Sequence, residues 1–380
     1  VTGSNPGTGA NADLASGTTL TKVVVTGGAN FGAAAGLDAT GLTDRALQTN
    51  NDNAVNAAAN DRGLNTGATA ANLVSLSNTV ITYDATTATG AQNVMFTAKA
   101  SGAETNVTFI GGTAGDYAEF QVGNINAAGG EGNDTFAFVN TGFNSTFTTA
   151  DTIAGGTGID TIQLGLNGNA TPYDVQWTEF NNKTGIDVLD LRGNSNKVEL
   201  SDTFVAATDA TVGFTVRTDK IVQTSATSVA NPAGGSTAED ASENTIILTK
   251  LASNRVITFE GGSGSDRLVL NENSFTSNAT LRGGDNVNNA GSAAPAVARD
   301  YDTLTVVDNA VLSRGDLSKT SGFEGLNLVK SDATSGRQFS IELTEAFLLA
   351  NTQATDNATA TNIDDRAFQI GSVAAANANA

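Results

Sequence analysis

An all-β body is the fold class that this sequence predicts, and three observations carry the prediction. Short bursts of Thr, Val, Ile and Phe recur along the 380 residues, with Gly and Asn between them. Such β-branched and aromatic runs, bounded by turn formers, read as strands. The intervals between bursts are too short for conventional amphipathic helices. The third observation is a recurring phrase of glycines closed by an aspartate. It reads "GGEGNDTFAF" at 129–138, "GGTGIDTIQL" at 155–164 and "GGSGSDRLVL" at 261–270, and "GGTAGDYAEF" at 111–120 carries Ala114 in place of a turn glycine.

In chain order, residues 1–90 form an N-terminal β-rich region. It opens its strands with "TLTKVVVTGG" (19–28) and holds a possible helix in "TDRALQTNNDNAVNAAAND" (43–61). Strands such as "NVTFIGG" (106–112) begin a first repeat over 91–223. The small, polar stretch "TSATSVANPAGGSTAEDASEN" (224–244) reads as a surface loop or linker. A second repeat over 245–350 carries "TIILTK" (245–250), "RVITFEGG" (255–262) and "DTLTVVD" (302–308), and ends in the short helical pattern "LTEAFLLAN" (343–351). The Ala/Asn-rich tail, 351–380, is strand-like only at "RAFQI" (366–370).

The two repeats align piece by piece. Asp160-Thr161-Ile162 falls on Asp302-Thr303-Leu304, and Gly185-Ile186-Asp187 on Gly322-Phe323-Glu324. Leu189-Asp190-Leu191 matches Leu326-Asn327-Leu328, and Val198-Glu199-Leu200 matches Ile341-Glu342-Leu343. The shared order is a Gly-rich Asp turn, a strand, a G-[IF]-[DE] corner, a strand, a polar gap and a strand. Internal duplication of this kind marks repeat architecture.

Composition removes several function classes. Asp and Glu number 39 against 19 Lys and Arg, a net charge of −20. That argues against nucleic acid and anionic membranes, which need clustered basic surface, and favours divalent cations. With no Cys the chain is neither a disulfide scaffold nor a thiolate zinc protein. With no His it lacks the usual general base, the Ser-His-Asp and Cys-His arrangements and the common zinc and iron ligands. No GxSxG, HExxH or GxxxxGK[ST] occurs, and no apolar stretch approaches the ~20 residues of a membrane span. The opening "VTGSNPG", without Met or a charged-then-apolar leader, is expected of a processed or trimmed piece.

The glycine–aspartate phrase has a physical reading. Glycines permit φ > 0 and close backbone approach, so GGxGxD can form a tight turn that aims carbonyls at one point. A carboxylate beside them makes a hard oxygen site suited to calcium. The middle residues of the strands that follow, Phe136, Ile162 and Leu268, are expected to point inward. One turn supplies about half of the six to eight oxygens calcium takes, so a second stacked turn must complete the shell. The competing reading of Asp134, Asp160 and Asp266 is an Asx-type turn that only closes a hairpin. Asp187 and Glu324 are expected to shape corners rather than bind metal.

These phrases resemble the nonapeptide GGxGxDxUx of RTX proteins, the calcium β-roll repeat. Asp116 and Asp134 stand 18 residues apart, and Asp151 and Asp160 nine, both in phase with that repeat. The G-[IF]-[DE]-x-L-x-L corner resembles Gram-negative surface-layer (S-layer) proteins, which carry RTX-like turns in Cys-free, Ala/Thr/Asn/Gly-rich chains exported by type I secretion. Here the phrases come singly or in pairs, so an irregular right-handed parallel β-helix or β-roll-like body with few short helices is expected. The resemblance implies Ca2+ as cofactor. The candidate ligands are Gly111 and Asp116; Gly129, Glu131 and Asp134; Asp151; Gly155, Thr157 and Asp160; Gly261, Ser263 and Asp266; and Gly283, Asp285 and Asp302.

The expected function is a non-enzymatic, self-assembling extracellular protein of the bacterial cell surface, an S-layer or related lattice or filament subunit. Its partners are other copies of itself, and cell-surface polysaccharide is a further candidate. The alternative is the calcium-binding portion of a secreted adhesin, or of an exported enzyme whose catalytic part lies elsewhere. Paired carboxylates could in principle hydrolyse a glycoside, but 6% aromatics and no aromatic-lined motif speak against it. The "RGD" at 314–316 is expected to be a chance tripeptide. The sequons Asn144-Ser145-Thr146 and Asn278-Ala279-Thr280 follow from Asn and Thr abundance, and Trp177 is expected in packing.

Overall fold

In a computed structural model of the chain, the described residues are 22–28, 82–96, 106–120, 124–139, 146–165, 172–192, 196–208, 213–218, 244–252, 255–262, 266–271, 279–284, 302–307, 311–329, 339–351 and 368–373. The helical candidate at 43–61, all of the 224–244 linker except Asn244, and the site candidates Ser263 and Asp285 lie outside them. The described residues form 24 strands and two short α-helices, and the strand pairings are parallel. The body is all-β, as the residue mix predicts.

The strands are β1 (Lys22–Gly27), β2 (Thr82–Ala88), β3 (Asn93–Phe96), β4 (Val107–Ile110), β5 (Tyr117–Phe120), β6 (Ile125–Glu131), β7 (Thr135–Phe138), β8 (Thr152–Thr157) and β9 (Thr161–Leu164). Then follow β10 (Asp174–Val175), β11 (Lys183–Thr184), β12 (Val188–Leu191), β13 (Lys197–Glu199), β14 (Phe214–Thr218), β15 (Asn244–Ile247), β16 (Ile257–Glu260) and β17 (Asp266–Leu270). The last are β18 (Thr280–Arg282), β19 (Thr303–Val307), β20 (Val311–Leu312), β21 (Thr320–Ser321), β22 (Gly325–Val329), β23 (Ser340–Ile341) and β24 (Gln369–Val373). The helices are α1 (Asp202–Ala206) and α2 (Glu345–Ala350).

Two compact units divide these residues. The first takes the described residues to 165 together with 179–189, and the second takes 172–178 with those from 190 onward. In the first, β1, β2, β4, β6, β8 and β11 pair in that order as one sheet, and β3, β5, β7 and β9 pair as another. Successive strands from β4 to β9 therefore alternate between two parallel sheets, each glycine–aspartate corner carrying the chain across. In the second unit, β10, β13, β15, β17, β19, β22 and β24 form one parallel sheet, and β14, β16, β18 and β21 pair in parallel.

Alternation buries one face of strands such as β1, β4 and β14, while β9 and β12 are buried on both. Within the first unit the inward rows carry aromatics: Phe96 stacks on Phe120, and Phe120 meets Phe138 at a tilt of 39°, each at 5.5 Å between centroids. Tyr83 lies on Phe109 at 5.8 Å, and Phe109 meets Phe136 edge-on at 6.4 Å. Within the second unit the corresponding row is aliphatic, with Val198, Ile246, Leu268, Leu304 and Leu326 aligned and fully buried. Phe136, Ile162 and Leu268 all point into the core, as expected. Removing a side chain such as Phe136 would cost roughly 3–5 kcal/mol.

The duplication has a local structural counterpart. Ser201 caps α1 by accepting from Phe204 N, and Thr344 caps α2 by accepting from Phe347 N. Both phenylalanines are buried. Ser and Thr at this position satisfy an otherwise orphaned helix N–H. Helix α2 falls within the predicted 343–351. Helix α1 was not anticipated, because "SDTF" is too short to show a helical period. Trp177 departs from expectation: it sits on a 3-10 turn, Trp177–Phe180, and is 41% exposed.

Candidate metal site at the glycine–aspartate corners

The corner begins with the glycines. The sequence suggests one turn over GGxGxD, but at 129–131 and 155–157 the glycine pair and the residue after it are strand: Gly130 pairs with Gly156, and Glu131 with Thr157, between β6 and β8. The bend itself is Gly132-Asn133-Asp134 and Gly158-Ile159-Asp160. The reason is close stacking. A Cβ on Gly156 would lie 2.0 Å from Gly130 O, and one on Gly158 would lie 1.9 Å from Gly132 O. Their φ values, +116° and +132°, add a second demand for glycine. Side chains at either position would push adjacent coils apart.

The aspartates then stitch each strand level to the next. Asp116 N donates to Asp134 Oδ1 at 2.7 Å, Asp134 N to Asp160 Oδ1 at 2.9 Å, and Asp160 N to Asp187 Oδ2 at 2.9 Å. Asp116 itself accepts from Gln92 N and Gly112 N at 2.7 and 2.9 Å. The second unit builds a comparable ladder from mixed residues. Tyr173 N donates to Asn196 Oδ1, Asn196 N to Asn244 Oδ1, and Asn244 Nδ2 to Asp266 Oδ1, at 3.0, 3.1 and 3.0 Å. Asp266 N then donates to Asp302 Oδ1, and Asp302 N to Glu324 Oε2, both at 2.7 Å. Asp187 and Glu324 thus occupy equivalent corners, each accepting the N–H of the aspartate one coil earlier.

These carboxyls lie out of water, and burial shifts their proton affinity. Desolvation disfavours the charged form, pushing Asp116 and Asp160 up to about 6, and Asp134 and Asp266 up to about 7. The opposing influence is hydrogen bonding, chiefly from backbone N–H groups at Asp116, Asp134 and Asp160 and from Thr218 and Asn244 at Asp266.

In the first unit two carboxylate oxygens lack a donor. Asp134 Oδ2 and Asp160 Oδ2 are buried and have no hydrogen-bond partner. Asp134 Oδ2 and Gly155 O both crowd the α-carbon of Gly129, and Asp160 Oδ2 and Gly185 O both crowd that of Gly155. At each corner a carboxylate oxygen therefore lies near a backbone carbonyl oxygen, acceptor beside acceptor. A buried anionic acceptor without a partner is costly, and a hard cation or a proton relieves it. All-oxygen chemistry suits calcium. Among the described residues no group of three or more acidic side chains converges to hold a metal, so an ion here must draw on backbone carbonyls.

The other sequence candidates fall out as follows. Gly111 stacks beneath Asp116 as Gly129 does beneath Asp134. The side chains of Glu131 and Thr157 are exposed, and Thr157 O accepts Gly132 N at 2.9 Å. Asp151 stands apart from Asp160, since the two flank opposite ends of β8. Gly261 stacks on Gly283, and Gly283 on Gly322, with Asp266 and Asp302 beside them. Sequence reasoning missed Asn196 and Asn244. The signal for both was a polar residue two places before an inward aliphatic, in Asn196-Lys197-Val198 and Asn244-Thr245-Ile246, just as in Asp266-Arg267-Leu268. In "RGD", Asp316 Oδ2 accepts from Ser313 N and Oγ at 2.8 and 2.7 Å, closing its own turn.

No family model, curated protein or solved structure matches the chain. No described helix is long and apolar enough to cross a membrane.

Proposed function

We propose that this chain is a non-enzymatic, calcium-stabilised structural protein of the bacterial cell surface, which assembles with itself into an S-layer or related lattice or filament. Its body is an irregular right-handed parallel β-helix, or β-roll-like coil. Calcium is bound at the glycine–aspartate corners, with Asp134 and Asp160 as carboxylate ligands and neighbouring backbone carbonyls beside them. The observation that carries this reading is the pair of buried, partnerless oxygens, Asp134 Oδ2 and Asp160 Oδ2, each set near a carbonyl in a parallel stack.

Two further features support assembly. The net charge of −20 keeps copies apart until cations bind. In the second unit the buried aliphatic row runs out to Ile370 on β24, which is 58% exposed, and Leu349 on α2 is 71% exposed. An apolar residue that continues a core row at the outer strand of a sheet is suited to meeting another copy. Sedimentation tests the proposal. The purified chain is expected to run as a monomer in chelator and as sheets or filaments at about millimolar calcium, the range of extracellular calcium modules. A chain that folds with calcium yet stays monomeric at high concentration would move the function to the calcium-binding part of an adhesin or exported enzyme.

A further inference from the structure

We propose that the chain itself fills two of its calcium-like corners, at Asp151 and Asp266, with Lys183 and with Thr218 and Asn244, so that these two make no demand for a divalent cation, whereas Asp134 and Asp160, which lack such groups, do. The inference rests on the calcium reading above and narrows it to particular turns.

At Asp151 the filling group is an ammonium. Lys183 on β11 pairs with Ile153 and continues the inward row of Tyr83, Phe109, Ala127 and Ile153, a row otherwise apolar. It is 2% exposed. Its Nζ donates to Thr148 O at 2.7 Å, Asp151 O at 2.9 Å and Asn181 O at 3.3 Å, and lies 4.8 Å from the Phe147 ring centroid. An ammonium has three N–H donors, and all three are matched; the ring face adds cation–π attraction. Carbonyls that a turn could offer a metal are thus already turned on a covalently attached cation. The Asp151 carboxylate is satisfied separately, by Ile125 N on Oδ1 at 2.8 Å and by Thr148 N on Oδ2 at 2.6 Å.

At Asp266 neutral donors close the corner. Oδ1 accepts from Asn244 Nδ2 at 3.0 Å, and Oδ2 from Thr218 Oγ1 at 2.7 Å and Gly262 N at 3.1 Å. Each carboxylate oxygen has a donor, so none is left against a bare acceptor. Asp134 and Asp160 are buried to the same degree, yet each keeps one unmatched oxygen. The phrase GGxGxD therefore does not decide cation demand. The residue one coil away does.

Equilibrium dialysis of the full chain against calcium tests this through the number of ions bound. Asp134→Asn and Asp160→Asn are each expected to lower the count, by about one ion where a turn holds one site. Asp266→Asn should leave the count at the wild-type value, and Lys183→Met should not lower it. Lys183→Met should also lower the melting temperature equally in calcium and in chelator. Should Asp266→Asn fold poorly, Thr218→Val removes one donor with less disturbance and should likewise keep the count. A loss of calcium on Asp266→Asn or Thr218→Val matching that of Asp160→Asn, or a Lys183→Met melt lowered only in calcium, overturns the proposal. A wild type that binds no calcium overturns the calcium reading itself, and the narrowing with it.

Discussion

The corners at Asp160 and Asp266 are written in nearly the same letters, GGTGID and GGSGSD, and they are neutralised differently. Asp160 shares its ladder with Asp134 and Asp187, so carboxylate follows carboxylate from coil to coil. Asp266 follows Asn244 and Asn196, and Thr218 reaches its second oxygen. The first ladder runs carboxylate on carboxylate, with Asp134 Oδ2 and Asp160 Oδ2 lacking donors; amides and a hydroxyl close the Asp266 corner before the second ladder continues through Asp302 and Glu324. The lesson is that like hexapeptides carry unlike corner chemistry, which their neighbours in the stack decide.

The largest expected effect erases the comparison altogether. Gly155→Val would place a Cβ 1.9 Å from Gly185 O, and Gly261→Val one 1.4 Å from Gly283 O. Both oxygens belong to backbone, so neither clash can be relieved by a side-chain rotation. Each substitution should unfold its own compact unit, a cost above the roughly 3–5 kcal/mol of a core Phe→Ala change. Circular dichroism should record the loss with calcium present or absent.

Acidity separates metal-free from metal-bound protein. Burial holds Asp134 and Asp266 up at about 7, and Asp116 and Asp160 at about 6, against an unfolded value of about 4. A carboxyl raised in the folded state favours folding fully below its unfolded value, and loses that contribution as pH rises through 6 to 7. In chelator the melting temperature should therefore rise as pH falls from 8 towards 5. In calcium the trend should flatten or reverse, because protons compete with the ion for the same oxygens. Parallel pH profiles in the two conditions would contradict this.

Chelation at neutral pH should have a smaller effect, concentrated in the first unit. Two sites with dissociation constants near 10⁻⁴ to 10⁻³ M would together contribute about 1–3 kcal/mol at millimolar calcium. At roughly 2–4 °C per kcal/mol for a domain of this size, the melting temperature of that unit falls by several degrees. Thr218→Val probes the other side. Removing one of the two donors to Asp266 Oδ2, with Gly262 N still in place, should cost about 0.5–1.5 kcal/mol, and calcium should not restore it. Calorimetry on the wild type and the variant, each with and without chelator, reads both effects.

Much of the fold could be read before the structure. The strand bursts, the inward Phe136, Ile162 and Leu268 and the helix at 343–351 all follow from local pattern, which parallel stacking preserves. The contents of the corners could not be read that way. Lys183 donates to carbonyls 32 and 35 residues away, and Thr218 to a carboxylate 48 residues away; partners that distant leave no period in the sequence. The glycine pair hid for another reason. Glycine suggests a turn, and only the register of Gly130 with Gly156 shows two strands drawn close enough to exclude a Cβ.

Anomalous diffraction from crystals of the intact chain grown in calcium, or soaked with a lanthanide in its place, tests the central claim most directly, because it locates the ion. The account predicts density within coordination distance of Asp134 Oδ2 and Asp160 Oδ2, together with backbone carbonyl oxygens, and none at Asp266 or beside Lys183. An ion at Asp266 with Thr218 displaced, or no ion at either Asp134 or Asp160 at millimolar concentration, would contradict it.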